Sequence, residues 1–371
     1  MRLPTLSVIE PFNNTQHTGF GLSALENRNL KWETTRQFDV GIHLGLFQGK
    51  LNITADWYDK QTKDLLLGVN LPGSSGFSRV LQNVGSVRNR GVEFQASLRQ
   101  HLGKVAWNPI LTVSHNRTKV LDLGTDAHGN AVTFMEIGTG GNWFPTIVGQ
   151  SMMQLYGYTV EGIYQTDVEA VENGEPTKKA GDYRFKNWDG QGVVNDQEDR
   201  TVLSNFEPKF TFGFNNSFQY KRIDLSFLIV GSYGNDIANE FRKYNITMNG
   251  SWTPTREAFN QRWTGTGDAV DKPSANSGSS IRDYANSLWL EDASYLRLRD
   301  ITLGYSFSPT LFRSGKASSI RAYLSLQNYL TFTKYSGYDP EVSWASASIA
   351  GWDRGNYPST KSITAGINIT F

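Results

Sequence analysis

The stretch Gln37-Phe38-Asp39-Val40-Gly41-Ile42-His43-Leu44-Gly45-Leu46 alternates without interruption. Phe38, Val40, Ile42, Leu44 and Leu46 fall on one side, and Gln37, Asp39, Gly41, His43 and Gly45 on the other. Successive side chains of a β-strand point to opposite faces, so a strict period of two marks a ribbon with one apolar and one polar side. After Phe47-Gln48-Gly49-Lys50 the pattern resumes, with Leu51, Ile53, Ala55 and Trp57 set against Asn52, Thr54, Asp56 and Tyr58. A connection that short and glycine-bearing predicts a tight hairpin between antiparallel neighbours.

The same alternation recurs downstream. Val92, Phe94, Ala96 and Leu98 lead through a turn around Gly103 to a strand over 105–116. Phe210, Phe212 and Phe214 lead through Tyr220-Lys221-Arg222 to Ile223, Leu225, Phe227 and Ile229. Ile301, Leu303, Tyr305 and Phe307 precede a strand over 319–329, and Ile363, Ala365, Ile367, Ile369 and Phe371 share one face of the last. With a further candidate over 153–164, about ten strands are expected. Short turns near residues 48, 102, 221 and 312 alternate with long segments at 62–90, 117–150, 165–207, 233–290 and 331–360. Tight turns at one end and long loops at the other are the habit of outer-membrane β-barrels. The long segments, rich in Gly, Asn, Ser and Trp as in 268–282, read as surface loops on one domain, 1–371.

Bulk chemistry narrows the class. Aromatics make up 13% of the chain, yet the longest apolar runs, such as Phe227 to Val230, fall far short of the ~20 residues a spanning helix needs. A net charge of +1 gives no electrostatic footprint for nucleic acid. The absence of cysteine removes disulfides, thiolate metal sites and cysteine nucleophiles. Residues Met1 to Ser7 carry no export signal, whereas a membrane barrel must be exported, so a fragment is expected. In hydrocarbon every backbone polar group must be paired internally, which leaves the closed barrel as the only spanning form for strands. On that reading Gln37, Asp39 and His43 face the lumen, Ile363 to Phe371 carry the lipid-side row, and Trp57, Tyr58 and Tyr305 are candidates for the interfacial girdles. A strand ending on Phe371 also fits the C-terminal aromatic assembly signal of such proteins. Two other readings remain open: a complete small barrel acting as surface enzyme or adhesin, and a soluble carbohydrate-binding β protein.

Several segments resemble the C-terminal part of SusC/RagA-type TonB-linked transporters. They are Leu30-Lys31-Trp32-Glu33-Thr34-Thr35, Asp56-Trp57-Tyr58, Thr62-Lys63-Asp64-Leu65-Leu66, Gln82-Asn83-Val84-Gly85-Ser86-Val87 and Arg90-Gly91-Val92-Glu93. Tyr295-Leu296-Arg297-Leu298-Arg299-Asp300-Ile301-Thr302-Leu303-Gly304-Tyr305, Gln327-Asn328 and Tyr335-Ser336-Gly337-Tyr338-Asp339-Pro340-Glu341 follow. The resemblance implies an all-β antiparallel transmembrane barrel of roughly 22 strands with a plugged lumen, of which this chain is the C-terminal portion without plug or TonB-contacting segment. It implies location in the bacterial outer membrane, energy from TonB, a SusD-like surface lipoprotein as partner, and import of oligosaccharide or peptide fragments.

Candidate site residues are few. The run 187–198 places Asn187, Asp189, Gln191, the Val193 carbonyl, Asn195 and Glu198 at positions 1, 3, 5, 7, 9 and 12, with Gly192 at 6, the oxygen spacing of a Ca²⁺ loop. Amides at normally acidic positions lower its charge, and a plain Gly-rich turn is the competing reading. Trp143, Trp188, Trp252, Trp263, Trp344 and Trp352 lie in long segments and can stack on sugar rings or pack beneath their own loops. Asp39 and His43 share a face, but four residues of strand separate them by ~13 Å, too far for an acid–base pair. With no nucleophile elbow, P-loop or zinc-type His pair in the sequence, a transporter rather than an enzyme is expected.

Overall fold

A computed structural model describes residues 5–9, 16–20, 25, 27–71, 75–77, 79–126, 128–136, 144–152, 154–190, 193–195, 198–246, 253–267, 285–308, 319–341 and 351–370. Nine long strands form one antiparallel wall: β1 (Thr34–Leu46), β2 (Leu51–Lys63), β3 (Ser86–Leu98), β4 (Val105–Asp122), β5 (Phe210–Tyr220), β6 (Ile223–Tyr233), β7 (Tyr295–Ser306), β8 (Ser319–Thr333) and β9 (Ser362–Thr370). Each pairs with its neighbour in chain order, so the wall is a pure meander. A short strand, Gln100–Leu102, extends the β3 edge against β4. Among the described residues β1 and β9 are paired on one side only, and the sheet stays open.

The connections alternate as expected, with one correction. Short links at 47–50, 99–104 and 221–222 alternate with long ones at 64–85, 123–209, 234–294 and 334–361. The turn expected near 312 lies outside the described residues. The candidate strand over 153–164 is not in the wall. It breaks into Gln154–Tyr158, paired with Arg200–Asn205, and Val160–Ile163, paired with Tyr183–Phe185. Alternation over a few residues is the same in any half-buried ribbon, and this one lies within a single excursion between β4 and β5.

Register carries the two-faced pattern right across the wall. Ile42 stands opposite Ala55, Ala55 opposite Phe94, and Phe94 opposite Val113. Val113 meets Phe212, and further round Leu225 meets Leu303, Leu303 meets Leu324, and Leu324 meets Ala365. One apolar surface therefore faces outward, and the opposite surface carries Asp56, Glu93, Asn116, Thr211, Asp224, Thr302, Ser325 and Thr364. Phe38, Ile42, Leu303, Ile363 and Ile367 are all more than half exposed, which in water would be a large unpartnered patch. On β1 the apolar row runs from Phe38 to Leu46. At ~3.3 Å per residue and a ~40° tilt it stands about 20 Å tall, close to the ~25 Å apolar band of a membrane barrel. No helix among the described residues is long and apolar enough to cross a membrane. Trp57 and Tyr305 lie in the outward rows, as girdle residues would, but Tyr58 does not. Strand parity turns it to the polar face, where its Oη donates to Asn116 Oδ1 at 2.9 Å.

Above the wall the long connections are not separate surface loops but a cap with its own core. Phe144, Leu155, Phe206, Ala238, Ala285, Trp289 and Trp352 are buried together, drawn from three of the long excursions. A second cluster joins Tyr158, Ile163, Tyr183 and Phe185, with Trp263 and Leu288 packed against it. Short helices Asp167–Glu172, Glu240–Asn245 and Arg256–Asn260 are capped by Thr166, Asn239 and Thr255, whose side chains each accept a backbone N–H of the first turn.

Candidate functional site

The polar face of the wall is a continuous hydrogen-bonded surface. Ser114 and Thr211 hydroxyls meet at 2.8 Å, Thr118 Oγ1 donates to Asn89 Oδ1 at 2.8 Å, and Thr302 and Ser325 hydroxyls meet at 3.0 Å beside Asp300. Arg321 reaches across β7 to pair with Asp224 on β6, Nε to Oδ1 at 2.9 Å. Tyr58 lies flat across β3, and a methyl group at Gly91 would overlap its ring, which accounts for the glycine in Arg90-Gly91-Val92-Glu93. Asp39 and His43 stay apart: Asp39 accepts from Gln37 at 2.9 Å, and His43 faces Asp56 across the β1–β2 ladder at 3.6 Å.

Two knots tie the cap to this surface, and both are built from segments far apart in sequence. At the first, Asn83 is the hub. Its Oδ1 accepts Lys31 N at 2.6 Å, and its Nδ2 donates to the carbonyls of Lys31 at 2.8 Å and Asp64 at 2.9 Å. Glu33 accepts Leu66 N at 2.9 Å alongside. The second centres on Arg297, which is only 3% exposed. Its guanidinium donates to Asp339 Oδ1 at 2.5 Å, Glu341 Oε2 and Thr331 Oγ1 at 2.8 and 3.0 Å, and Ser359 Oγ at 3.0 Å. Arg299 also pairs with Glu341. Burial pushes the Asp339 carboxyl up, but hydrogen bonds from Ser359, the Glu341 N–H and Arg297 outweigh it and hold it down to about 2. Asn328, at φ 52, takes the left-handed conformation at the irregular β7–β8 register and donates to Thr360 O at 3.1 Å. Asn tolerates that region better than most residues.

Deeper in the cap, Tyr335 Oη donates to Asp353 Oδ2 at 2.5 Å, and Tyr164 Oη donates to Glu175 Oε2 at 2.5 Å. Burial pushes both phenols up. Between the 234–294 and 334–361 excursions lies a cavity of about 410 Å³. Phe241, Tyr338, Asn239, Asn245 and Arg242 line it, and Phe241 and Tyr338 meet edge to face at 6.1 Å.

The sequence-derived site residues fare unevenly. In the 187–198 loop Asn187 Oδ1 accepts Gly190 N at 2.6 Å, and Glu198 bonds to Asn195 at 3.3 Å, while Gln191 lies outside the described residues. The residue that organises the loop is Asp199, fully buried, which accepts Trp188 N at 2.7 Å and Asn195 N at 2.9 Å. It was missed because it falls one place beyond the expected ligand spacing. Among the described residues no group of three or more His, Cys, Asp or Glu is arranged to hold a metal. Trp352 is buried against Phe144 at 4.9 Å, and Trp263 is half-buried with its Nε1 donating to Gln165 at 3.4 Å. Trp188 is exposed, with Lys186 over its ring at 3.7 Å. Trp143, Trp252 and Trp344 lie outside the described residues. Arg297 and Asn83 lie within two of the segments that resemble the family, but no spacing in the sequence identifies their partners.

Comparison with known proteins agrees with this architecture. The chain is 31% identical over 366 residues to TonB-dependent receptor P26 of Formosa agariphila, covering 97% of the chain and 37% of that protein. It is 28% identical to TonB-dependent receptor SusC of Bacteroides thetaiotaomicron, covering 97% and 34%. Its fold superposes on the RagAB peptide transporter with a TM-score of 0.81 at 24% identity, covering all of this chain and 38% of that one. The chain thus spans little more than a third of the proteins it matches. The profile of the family described as TonB dependent receptor-like, beta-barrel matches residues 1–329, and the chain belongs to that outer-membrane family, with TonB-dependent receptors P26 and SusC among its relatives.

Proposed function

We propose that this chain is the C-terminal barrel portion of an importer of the SusC/RagA type, taking up oligosaccharide or peptide fragments with energy from TonB and a SusD-like lipoprotein as lid. The observation that carries the reading is the division of the wall, over the height of its apolar rows, into a mainly apolar face and a hydrogen-bonded, mainly polar one. An open sheet of this kind leaves two rows of unpaired backbone groups, each costing several kcal/mol in hydrocarbon. Partner strands are therefore needed, and a longer protein of the relatives' length has room for them, along with a plug and a TonB-contacting segment. The polar face then lines the route, and the Phe241–Tyr338 cavity, with its aromatic rings beside amides and a guanidinium, is a subsite for sugar rings or peptide groups above it. Loop 187–198 is read as a weak Ca²⁺-binding turn of the cap.

The test is uptake of labelled oligosaccharide and peptide mixtures by cells with and without the full-length gene, alongside affinity purification from the outer membrane. Loss of uptake of one class, and recovery of a surface lipoprotein with the barrel, are expected. Unchanged uptake with hydrolysis at the cell surface favours a small-barrel enzyme instead. Recovery in the supernatant without detergent favours a soluble binding protein.

A further inference from the structure

The outward face of β1 to β4 changes chemistry within one step of the ladder. Val40, Trp57 and Val92 stand side by side in the last mainly apolar row, which His115 completes on β4. The next same-face row reads Phe38, Asp59, Arg90 and Arg117, the one above it Arg36, Gln61, Arg88 and Lys119, and Lys63 follows opposite Thr34. Six cationic side chains thus accumulate within three rows against two carboxylates, Asp59 inside the patch and Asp122, opposite Ser86, at its upper edge. At ~6.7 Å between same-face rows and ~4.8 Å between strands, the patch measures roughly 14 Å each way.

Asp59 does not neutralise it. Its carboxylate takes Arg88 Nε at 2.7 Å and Arg90 Nε at 3.0 Å, so one negative charge is shared by two guanidiniums and holds both in place. Arg36, Lys63, Arg117 and Lys119 are all exposed and enter no salt bridge among the described residues. The patch is local, because at the upper outward positions of β5 to β8 stand Phe210, Tyr233, Leu296 and Phe332 instead.

Position decides what such a patch can meet. It lies on the lipid side, at the loop end of the strands and just above a Trp-bordered apolar band, which is the headgroup layer of the outer leaflet. Neither the lumen nor the periplasm opens onto that surface. Anionic headgroups attract each Lys or Arg near the membrane surface, and the planar fork of Arg matches phosphate oxygens in pairs. We propose that the outward rim of β1 to β4 is a docking surface for the phosphate groups of the outer-leaflet glycolipid.

The test uses the full-length transporter in non-ionic detergent, titrated with diphosphoryl lipid A and with the same lipid after dephosphorylation, binding being read by native mass spectrometry. Diphosphoryl lipid A is expected to bind at least tenfold more tightly than the dephosphorylated form. The combined variant Arg36→Gln, Arg90→Gln, Arg117→Gln and Lys119→Gln is expected to lose at least tenfold, while Arg36→Lys, Arg90→Lys and Arg117→Lys together stay within about threefold of the wild type. Single Arg117→Gln and Lys119→Gln variants, each weaker by about threefold, give the reading if the combined variant fails to fold. Equal binding of the two lipid forms overturns the proposal, as does undiminished binding by the combined or the single variants. Displacement by inorganic phosphate at the lipid's own concentration makes the patch an ion site and also overturns it. So does a dimer that forms without lipid and is split by the combined variant, since the face is then a protein interface.

Discussion

The wall and the cap are held together by different kinds of interaction. In the wall each strand bonds to the next one in the chain, and the apolar side chains need no partner within the protein because lipid supplies it. In the cap Phe144, Leu155, Ala238, Ala285 and Trp352 meet across more than two hundred residues, and buried ions such as Arg297 must find every partner inside the protein. Alternation therefore specifies the wall locally, whereas the cap exists only once its loops have converged. Damage to one region should leave the other largely standing, and that separation can be tested.

The largest effect is expected at Arg297. Arg297→Ala leaves the buried Asp339 carboxylate without its guanidinium and Glu341 with Arg299 alone, and breaking a buried pair in this way costs about 3–5 kcal/mol. Limited proteolysis of the full-length protein should then cut within 334–361 while the heat-modifiable migration of the barrel persists. Loss of that migration would mean that the cap and wall fold as one unit.

The converse test enters the wall. Leu225→Arg, in the row between Phe218 and Leu303 and one row in from Tyr305, puts a charge into hydrocarbon at a cost that rises from about 1 kcal/mol at the interface towards about 2–4 kcal/mol at the midplane. Thr302→Arg, one residue along and on the polar face, should cost little. Outer-membrane yield of the two variants compares them directly, and equal yields would remove the lipid-facing assignment.

Acid should loosen the cap before the wall. The folded Asp339 carboxyl sits at about 2, below the ~4 of a free aspartate, so its stabilising effect is complete above pH ~4 and is lost as pH falls towards 2. That window is worth about 2 kcal/mol, and the protease sensitivity of 334–361 should rise across it. Asp339→Asn should flatten the profile.

The legibility of the sequence follows the same division. Period-two alternation revealed both faces of β1 and β2, because a strand's burial is decided by its own neighbours. It also admitted 153–164, although that segment lay between two long connections and so could not begin and end on opposite sides of a membrane. The motifs around Asn83, Arg297 and Asp339 were visible as resemblances, but their pairing was not. A hydrogen bond between Lys31 and Asn83, or an ion pair between Arg297 and Asp339, leaves no periodic trace when the partners are more than forty residues apart.

The smallest effect separates two supports of the same loop. Asp199 closes the 187–198 turn by accepting Trp188 N and Asn195 N, and this does not depend on a cation. Asp189 and Glu198 occupy calcium-type positions, where weak binding stabilises only as the logarithm of one plus the ligand concentration over its Kd. Asp199→Ala should therefore destabilise the full-length protein by the ~1–3 kcal/mol of unmade buried hydrogen bonds, with an equal fall in Tm in calcium and in chelator. Asp189→Ala with Glu198→Ala should lower it more in calcium, by roughly 1 kcal/mol or less. Equal shifts in both media would leave Asp199 as the loop's whole support and remove the metal.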